Sequence, residues 1–148
     1  MADADPLHAL GSRLGHTFRD ALLLEQALTH SSFANEHPGT RDNGGLAFLG
    51  DAVLDLVVGE HLWRAFPDEP EGVLTPMRAE LVSGANLCRW AVSLNLGPML
   101  RLGRGEEQTG GREKESVLAT TLEAVLAVGY VEGGLEAARR AVATLALW

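Results

Sequence analysis

Two acidic residues stand out because each lies inside an otherwise apolar stretch of helical periodicity. Asp51 follows Gly50 within the sequence FLGDAVL, and Glu123 lies within the sequence SVLATTLEA. A glycine costs a helix interior about 1 kcal/mol relative to alanine, and a buried carboxylate costs far more unless it is paired or binds a metal. If their helices face each other, Asp51 and Glu123 could share a cation such as Mg²⁺, which prefers oxygen ligands. The alternative is that Asp51 pairs with an arginine.

A cluster of basic residues is a second candidate for chemistry, because it could bind phosphates. It comprises Arg101, Arg104, Arg112 and Lys114. Four glutamates are interleaved with these residues, so a solvated charged loop is the alternative interpretation. The net charge of −8 also argues against a nonspecific nucleic-acid binder, which usually carries a basic excess.

The elements that must position these residues are helices, since no segment shows the alternation of a half-buried strand. The pattern predicts helices over residues 20–29, 46–66, 74–83, 85–94, 113–132 and 135–147. Segments 30–45 and 103–111 are predicted to be loops, and Gly133-Gly134 is a suitable helix stop. We expect an all-α fold of about seven helices, with the helix over 46–66 at its centre because it is apolar on most of its circumference.

The composition predicts one domain over residues 1–148, without a membrane span. Domains most often have about 100–150 residues, and this chain has 148. The apolar runs at 52–59 and 141–148 are far shorter than the roughly 20 residues that cross a bilayer, and residues 1–6 lack the apolar segment of a secretory signal. The single cysteine, Cys88, excludes an internal disulfide, so we expect a cytoplasmic protein.

A series of motifs resembles the catalytic domain of the ribonuclease III family. The match is strongest over residues 8–145, and its motifs follow in order and at family-like spacing. They are ALTHSSFANE (27–36), LAFLGDAVL (46–54), EG (71–72), MRAELVS (77–83), LRLG (100–103), GGR (110–112) and ESVLA (115–119).

The resemblance implies an all-α, ribonuclease III endonuclease-domain-like helical bundle that dimerises through the helix carrying Asp51. Members of the family hydrolyse double-stranded RNA with Mg²⁺, leaving 5′-phosphate and 3′-hydroxyl ends. Phe48 matches an aromatic residue that inserts into the partner subunit, and core packing is its alternative role. Glu71 matches an acidic position that borders the family's active site. His30 lies in a Thr-His-Ser motif, where a structural hydrogen-bonding role is expected rather than a catalytic one.

The resemblance also identifies a degenerate metal site. Two carboxylates from the central helix and two from a later helix hold the family's metal, and here only Asp51 and Glu123 match them. Their partners fall at Ala47 and Thr120, which carry no carboxylate, and a further acidic position corresponds to Gly44. Binding of Mg²⁺, or of Mn²⁺, should therefore be weakened. Ala47 could be an engineered change, but drift of the whole site explains all three positions more simply.

Three functions remain open at this point. The first is a homodimeric pseudoenzyme that recognises double-stranded or structured RNA, acting in RNA processing, at the ribosome or beside an active ribonuclease partner. The second is a minimal, active Mg²⁺-dependent endoribonuclease that uses Asp51 and Glu123. The third is a dimeric scaffold that does not bind RNA. The family's usual double-stranded-RNA-binding domain finds no counterpart within the 148 residues.

Overall fold

The computed structural model of the chain describes residues 5–148, which form an all-α domain. One isolated bridge, between Thr29 and Arg101, is the only extended pairing within this range. Eight α-helices occur in the described residues: α1 (Pro6–Leu14), α2 (Ala21–Ala27), α3 (Ser31–Glu36), α4 (Gly44–Ala65), α5 (Glu71–Leu81), α6 (Gly84–Ser93), α7 (Arg104–Gln108) and α8 (Glu115–Ala146). Two 3₁₀ turns, Gly97–Met99 and Gly111–Glu113, flank α7. The sequence predicts no secretory signal at residues 1–6, and most of this segment, residues 1–4, lies outside the described range.

The centre of the domain is the crossing of α4 and α8, which is the most extensive helix–helix contact of the described residues. Both helices bury apolar residues along much of their length. At Gly50 the two backbones meet, because a Cβ atom at this position would overlap the carbonyl oxygen of Glu123. The glycine inside α4 is therefore explained by close packing, and the crossing sets Asp51 beside Glu123.

The last helical segment is broken where the sequence predicts it. The hydrogen-bonding pattern continues over α8, but Gly134 has φ 70° and ψ −166°, which no helix contains. A positive φ of this kind favours glycine, since it has no Cβ atom. By length and composition alone α8 is apolar enough to cross a membrane, yet 61% of its most apolar window is buried inside the protein. This burial is that of a core helix.

The other predicted helices differ from the observed ones mainly at their ends. The helix predicted over 46–66 begins two residues earlier, at Gly44, and ends at Ala65, before Pro67. The two segments predicted as loops each contain a short helix, α3 within 30–45 and α7 within 103–111. These two predictions were wrong because short helices depend on end contacts. In α3, the backbone N–H of Ser32 donates to Nδ1 of His30, which caps the helix.

Candidate functional site

The structure brings Asp51 and Glu123 together at the crossing of α4 and α8. Burial, a hydrogen bond that protonated Glu123 donates to Asp51, and the negative charges of Asp51 and Asp55 together raise the pKa of Glu123 to about 8. Two carboxyl groups held this close favour keeping one proton between them. No arginine pairs with Asp51 among residues 5–148, so the alternative role for this acid is not observed.

The three positions that the resemblance predicts to be degenerate lie near this pair. Ala47 is 7% exposed and belongs to the apolar core of α4, one turn before Asp51. Thr120 is half-buried on α8, one turn before Glu123, and Gly44 is the first residue of α4. No group of three or more metal-binding side chains comes together within residues 5–148.

A Mg²⁺ ion would therefore find only part of its ligand set here. It requires near-octahedral oxygen coordination and is often bound through one or two carboxylates together with substrate phosphates and water. Asp51 and Glu123 fit that minimum, whereas the methyl group of Ala47 offers no ligand atom and the hydroxyl of Thr120 is a neutral one. The donor set fits a cation that depends on bound substrate for its remaining ligands.

Gly44 and Thr120 face a common hollow of 250 Å³ between the first turns of α4 and α8. Most of its lining residues are polar and none is lysine or arginine, although apolar atoms make up the larger part of its surface. The residues that line it are His30, Ser31, Asp42, Asn43, Gly44, Ser116, Val117 and Thr120. The hollow thus includes two of the three positions predicted to be degenerate.

The carboxylate of Asp42 lies next to the position where a side chain of residue 44 would begin. Its Oδ1 atom accepts a hydrogen bond of 2.9 Å from the backbone N–H of Gly44, and it lies 3.2 Å from the position that a Cβ atom of residue 44 would take. Asp42 and Asn43 are wall residues that the sequence analysis did not single out. The signal that could have found them is their place at the start of the central helix, where Asp and Asn commonly cap.

Glu71 lies outside this hollow, on the far side of Asp55. As the first residue of α5, it lines a groove of 710 Å³ between α4 and α5, together with Asp55 and Arg78. Asp55 links the two regions, because it borders the groove and its charge also acts on Glu123. The groove is thus an acidic extension of the site.

Phe48 is not a core residue, since 83% of its surface is exposed. It begins a row on the outer face of α4 that continues at helical spacing through Ala52, Leu56 (55% exposed) and Trp63 (66% exposed). We call these four residues the α4 apolar face. Large apolar side chains aligned in this way mark interaction surfaces more often than scattered single ones do.

Arg112 and Lys114 are engaged within the protein. The Nε atom of Arg112 donates to both carboxylate oxygens of Glu107 at 2.8 and 2.9 Å, and its guanidinium also donates to the carbonyls of Gly97 (3.0 Å) and Leu100 (2.7 Å). Lys114 pairs with Glu106 at 2.5 Å. These contacts stabilise the segment that leads into α8. Contact of Arg112 and Lys114 with RNA stays a prediction.

Arg101 and Arg104 differ in whether their guanidinium groups are paired within the protein. Arg101 pairs with Glu25 at 3.0 Å and lies 4.2 Å above the ring of Phe33. Arg104 begins α7 with an exposed side chain, and only its backbone N–H is fixed, by Glu36. Of the four basic residues predicted to contact RNA, Arg104 is the one whose charge no ion pair occupies among the described residues.

Comparison with known proteins adds to this geometry. A protein-family model described as Ribonuclease-III-like matches residues 20–147. A Ribonuclease 3 of Syntrophobacter fumaroxidans is 50% identical over 139 residues, covering 93% of this chain and 57% of that protein. A Ribonuclease 3 of Streptomyces coelicolor is 50% identical over 133 residues, covering 90% of this chain and 48% of that protein. The chain spans about half the length of the curated relatives it matches.

Solved structures give the same result. A nuclease domain of ribonuclease III from Campylobacter jejuni superposes with a TM-score of 0.85 at 42% identity, covering 95% of this chain and 93% of that one. That domain shows structural flexibility in a region involved in dimer formation. The fold, the order of the motifs and the similarity over nearly the whole length all indicate the same protein family.

Proposed function

The chain belongs to the ribonuclease III family, and on this premise we propose that it is a homodimeric domain that recognises double-stranded or structured RNA and cleaves it weakly or not at all. One observation carries this proposal: Asp51 and Glu123 come together at the site, whereas Ala47 and Thr120, which the resemblance places at the positions of the other two family carboxylates, carry no negative charge. Two fewer negative charges weaken metal binding and loosen its geometry. A misplacement of about 1 Å can cost roughly a hundredfold in rate.

The chain's own residues retain part of the nuclease site. When bound, Mg²⁺ would supply an activated water and neutralise charge on the leaving oxygen. Asp51 and Glu123 would hold it, and Mn²⁺ could replace it. Glu123 must first lose a proton, because its raised pKa of about 8 leaves it largely protonated at neutral pH. This competition between proton and metal adds to the loss of ligands.

RNA recognition and dimerisation are supported by surface features. The α4 apolar face presents exposed Phe48, Leu56 and Trp63 on one side of the central helix, which suits a self-complementary interface. The basic residues around α7 offer charge for the phosphate backbone, with Arg104 the freest of them. Duplex RNA is recognised largely by shape and backbone contacts, so a rigid helical surface can bind it without reading sequence.

A second candidate is an active, minimal Mg²⁺-dependent endoribonuclease. It is favoured by the 50% identity to proteins named Ribonuclease 3 and by the retained contact between Asp51 and Glu123. A dimeric scaffold that does not bind RNA is the third possibility. No observation at the site favours it over the other two.

Restoring the missing carboxylates tests the proposal. Labelled duplex RNA would be incubated with the unaltered protein and with the Ala47→Glu/Thr120→Asp double variant, in Mg²⁺ and then in Mn²⁺. We expect a gain in metal-dependent cleavage of about a hundredfold or more for the double variant. Adding Asp51→Asn to that variant should abolish the gain, which excludes a contaminating nuclease.

The outcomes separate the three functions. Cleavage by the unaltered protein that Asp51→Asn abolishes would establish the minimal enzyme and contradict impaired cleavage. Salt-sensitive duplex binding without cleavage supports the proposal, since phosphate contacts weaken as salt rises. If neither cleavage nor binding occurs, and restoration gains nothing, the scaffold remains.

A further inference from the structure

The side chain of Asn43 carries an unpaired acceptor atom that is open to solvent-accessible space, because no fully buried side-chain nitrogen or oxygen of the described residues lacks a hydrogen-bond partner. Its side chain is 4% exposed, and its Nδ2 atom donates to the carbonyl of Ala27 at 3.0 Å. Because a carbonyl oxygen can only accept, the orientation of the amide is fixed. The Oδ1 atom of Asn43 accepts no hydrogen bond from any residue between 5 and 148, and Asn43 borders the hollow between α4 and α8. The hollow therefore contains an unused acceptor.

The other walls of the hollow define the ligand by charge and hydrogen bonding. Asp42 contributes a carboxylate, which is a second acceptor. The hydroxyls of Ser31, Ser116 and Thr120 border the same space, and none of them is hydrogen-bonded to another described residue. Hydroxyls both donate and accept. The hollow thus suits a neutral group that can donate one hydrogen bond and accept another.

A phosphate diester does not meet these requirements, because it has no donor and Asp42 would repel it. The ribose 2′-hydroxyl does meet them, since it donates and accepts, and it lies along the accessible minor groove of an A-form duplex. The volume of 250 Å³ is several times the about 30 Å³ that a water molecule occupies, so the edge of a sugar can enter.

We infer that the hollow between α4 and α8 binds a ribose 2′-hydroxyl of the RNA strand, with Oδ1 of Asn43 accepting a hydrogen bond from the 2′-hydroxyl and the hydroxyl of Thr120 donating one to its oxygen. This inference rests on the proposed function, because it requires that RNA lies over the site. Thr120 stands one turn from Glu123, so a strand that reaches the remaining carboxylates passes the hollow. Replacement of an acid by threonine has then turned part of a metal site into a contact that distinguishes RNA from DNA.

The test compares an RNA duplex with its 2′-fluoro counterpart of the same sequence. The 2′-fluoro duplex keeps the A-form but lacks the donor, so the comparison does not change the shape of the helix. Affinities would be measured by fluorescence anisotropy at one salt concentration. We expect the unaltered protein to bind the RNA duplex roughly fivefold or more tightly, the fold-change of about one hydrogen bond.

Two variants locate this discrimination, and a third serves as the control. Thr120→Val keeps the shape and removes the hydroxyl, and Asn43→Ala removes the acceptor. Either variant should bind both duplexes with the lower affinity of the 2′-fluoro duplex. Thr144→Val alters an exposed threonine far along the same helix and should keep the full discrimination. Thr120→Val decides the matter even if Asn43→Ala does not fold, which circular dichroism would reveal.

Two results would overturn the inference while leaving the proposed function intact. One is equal affinity of the unaltered protein for the two duplexes. The other is discrimination that persists in Thr120→Val, which would place the 2′-hydroxyl contact elsewhere. Failure to bind any duplex would instead contradict the proposed function itself, and the inference with it.

Discussion

At Glu123 a carboxyl group lies partly buried beside Asp51, with the charge of Asp55 nearby, and these surroundings raise its pKa to about 8. In an unfolded chain the same group has its ordinary value of about 4.3. The folded state therefore binds this proton more tightly, and the free energy of unfolding falls as pH rises from about 4.5 to about 8. The site is destabilising at neutral pH when no metal is bound.

Glu123→Gln should remove this pH dependence. We expect the variant and the unaltered protein to have similar stability near pH 5. At pH 8 the variant should be more stable by about 1–2 kcal/mol, a value well below the full shift because water screens a partly exposed carboxylate. Denaturant unfolding at both pH values, without divalent metal, measures the difference.

Glu80→Gln is the matched control, since it removes an exposed acid from α5. It should leave the difference between pH 5 and pH 8 unchanged. If Glu123→Gln behaves in the same way as this control, Glu123 is not held protonated in the folded protein.

For single residues, the sequence predicts the roles of acidic side chains better than the roles of basic ones. An acid inside an apolar helix has few possible roles, so Asp51 and Glu123 could be identified from the sequence. The basic residues could not be assigned in the same way, because their partners depend on tertiary contacts. Arg101, for example, pairs with Glu25 of a distant helix. The hollow was missed because it consists of ordinary polar residues from three separate segments.

Among the elements, the crossing of α4 and α8 is the contact most sensitive to substitution. Gly50→Ala places a methyl group on the backbone of Glu123, and a backbone cannot move aside as a flexible side chain can. We expect destabilisation of about 3 kcal/mol or more, toward the upper end for overpacked cores. Thermal unfolding followed by circular dichroism measures it.

Gly129→Ala is the control for that experiment. Gly129 is a buried glycine of α8, but apart from its chain neighbours and the nearby backbone of its own helix, no atom lies within 4 Å of where its Cβ would be placed. Alanine there should stabilise the protein by about 0.5–1 kcal/mol through helix propensity. Equal losses of stability in the two variants would show that the closeness of the helices does not depend on Gly50.

Helix periodicity explains which elements were predicted and which were not. Long helices such as α4 and α8 bury a continuous apolar surface, and this leaves a pattern in the sequence. The helices α3 and α7 are too brief to show it, and α1 was not predicted although it is longer than α2. They depend on single contacts at their ends, such as the side chain of Asp5, which accepts from the backbone N–H of Leu7 at the start of α1.

For the molecule as a whole, the α4 apolar face predicts the oligomeric state. Phe48→Asp should leave the fold intact, because the side chain is 83% exposed and such changes usually cost no more than about 0.5 kcal/mol. We expect it to weaken dimerisation by about a hundredfold, as loss of an aromatic anchor at an interface does. Sedimentation velocity over a range of concentrations measures this.

Leu22→Asp is the matched control, since Leu22 is 79% exposed but lies on α2. It should dimerise as the unaltered protein does. A Phe48→Asp variant that retains the mass of the dimer, or an unaltered protein that is a monomer at all concentrations, would contradict the assignment of this face.

The packing at Gly50 also sets the direction in which such a site evolves. The crossing is built from backbone and apolar contacts, so the fold does not require the carboxylates that stand beside it. Replacing an acid at such a site by an uncharged residue removes repulsion between neighbouring carboxylates, and substitutions of this kind usually increase stability while they decrease activity. Substitutions that abolish cleavage would therefore stabilise the protein, and substitutions that restore cleavage would destabilise it. Pseudoenzymes of this architecture should therefore arise more often than they revert.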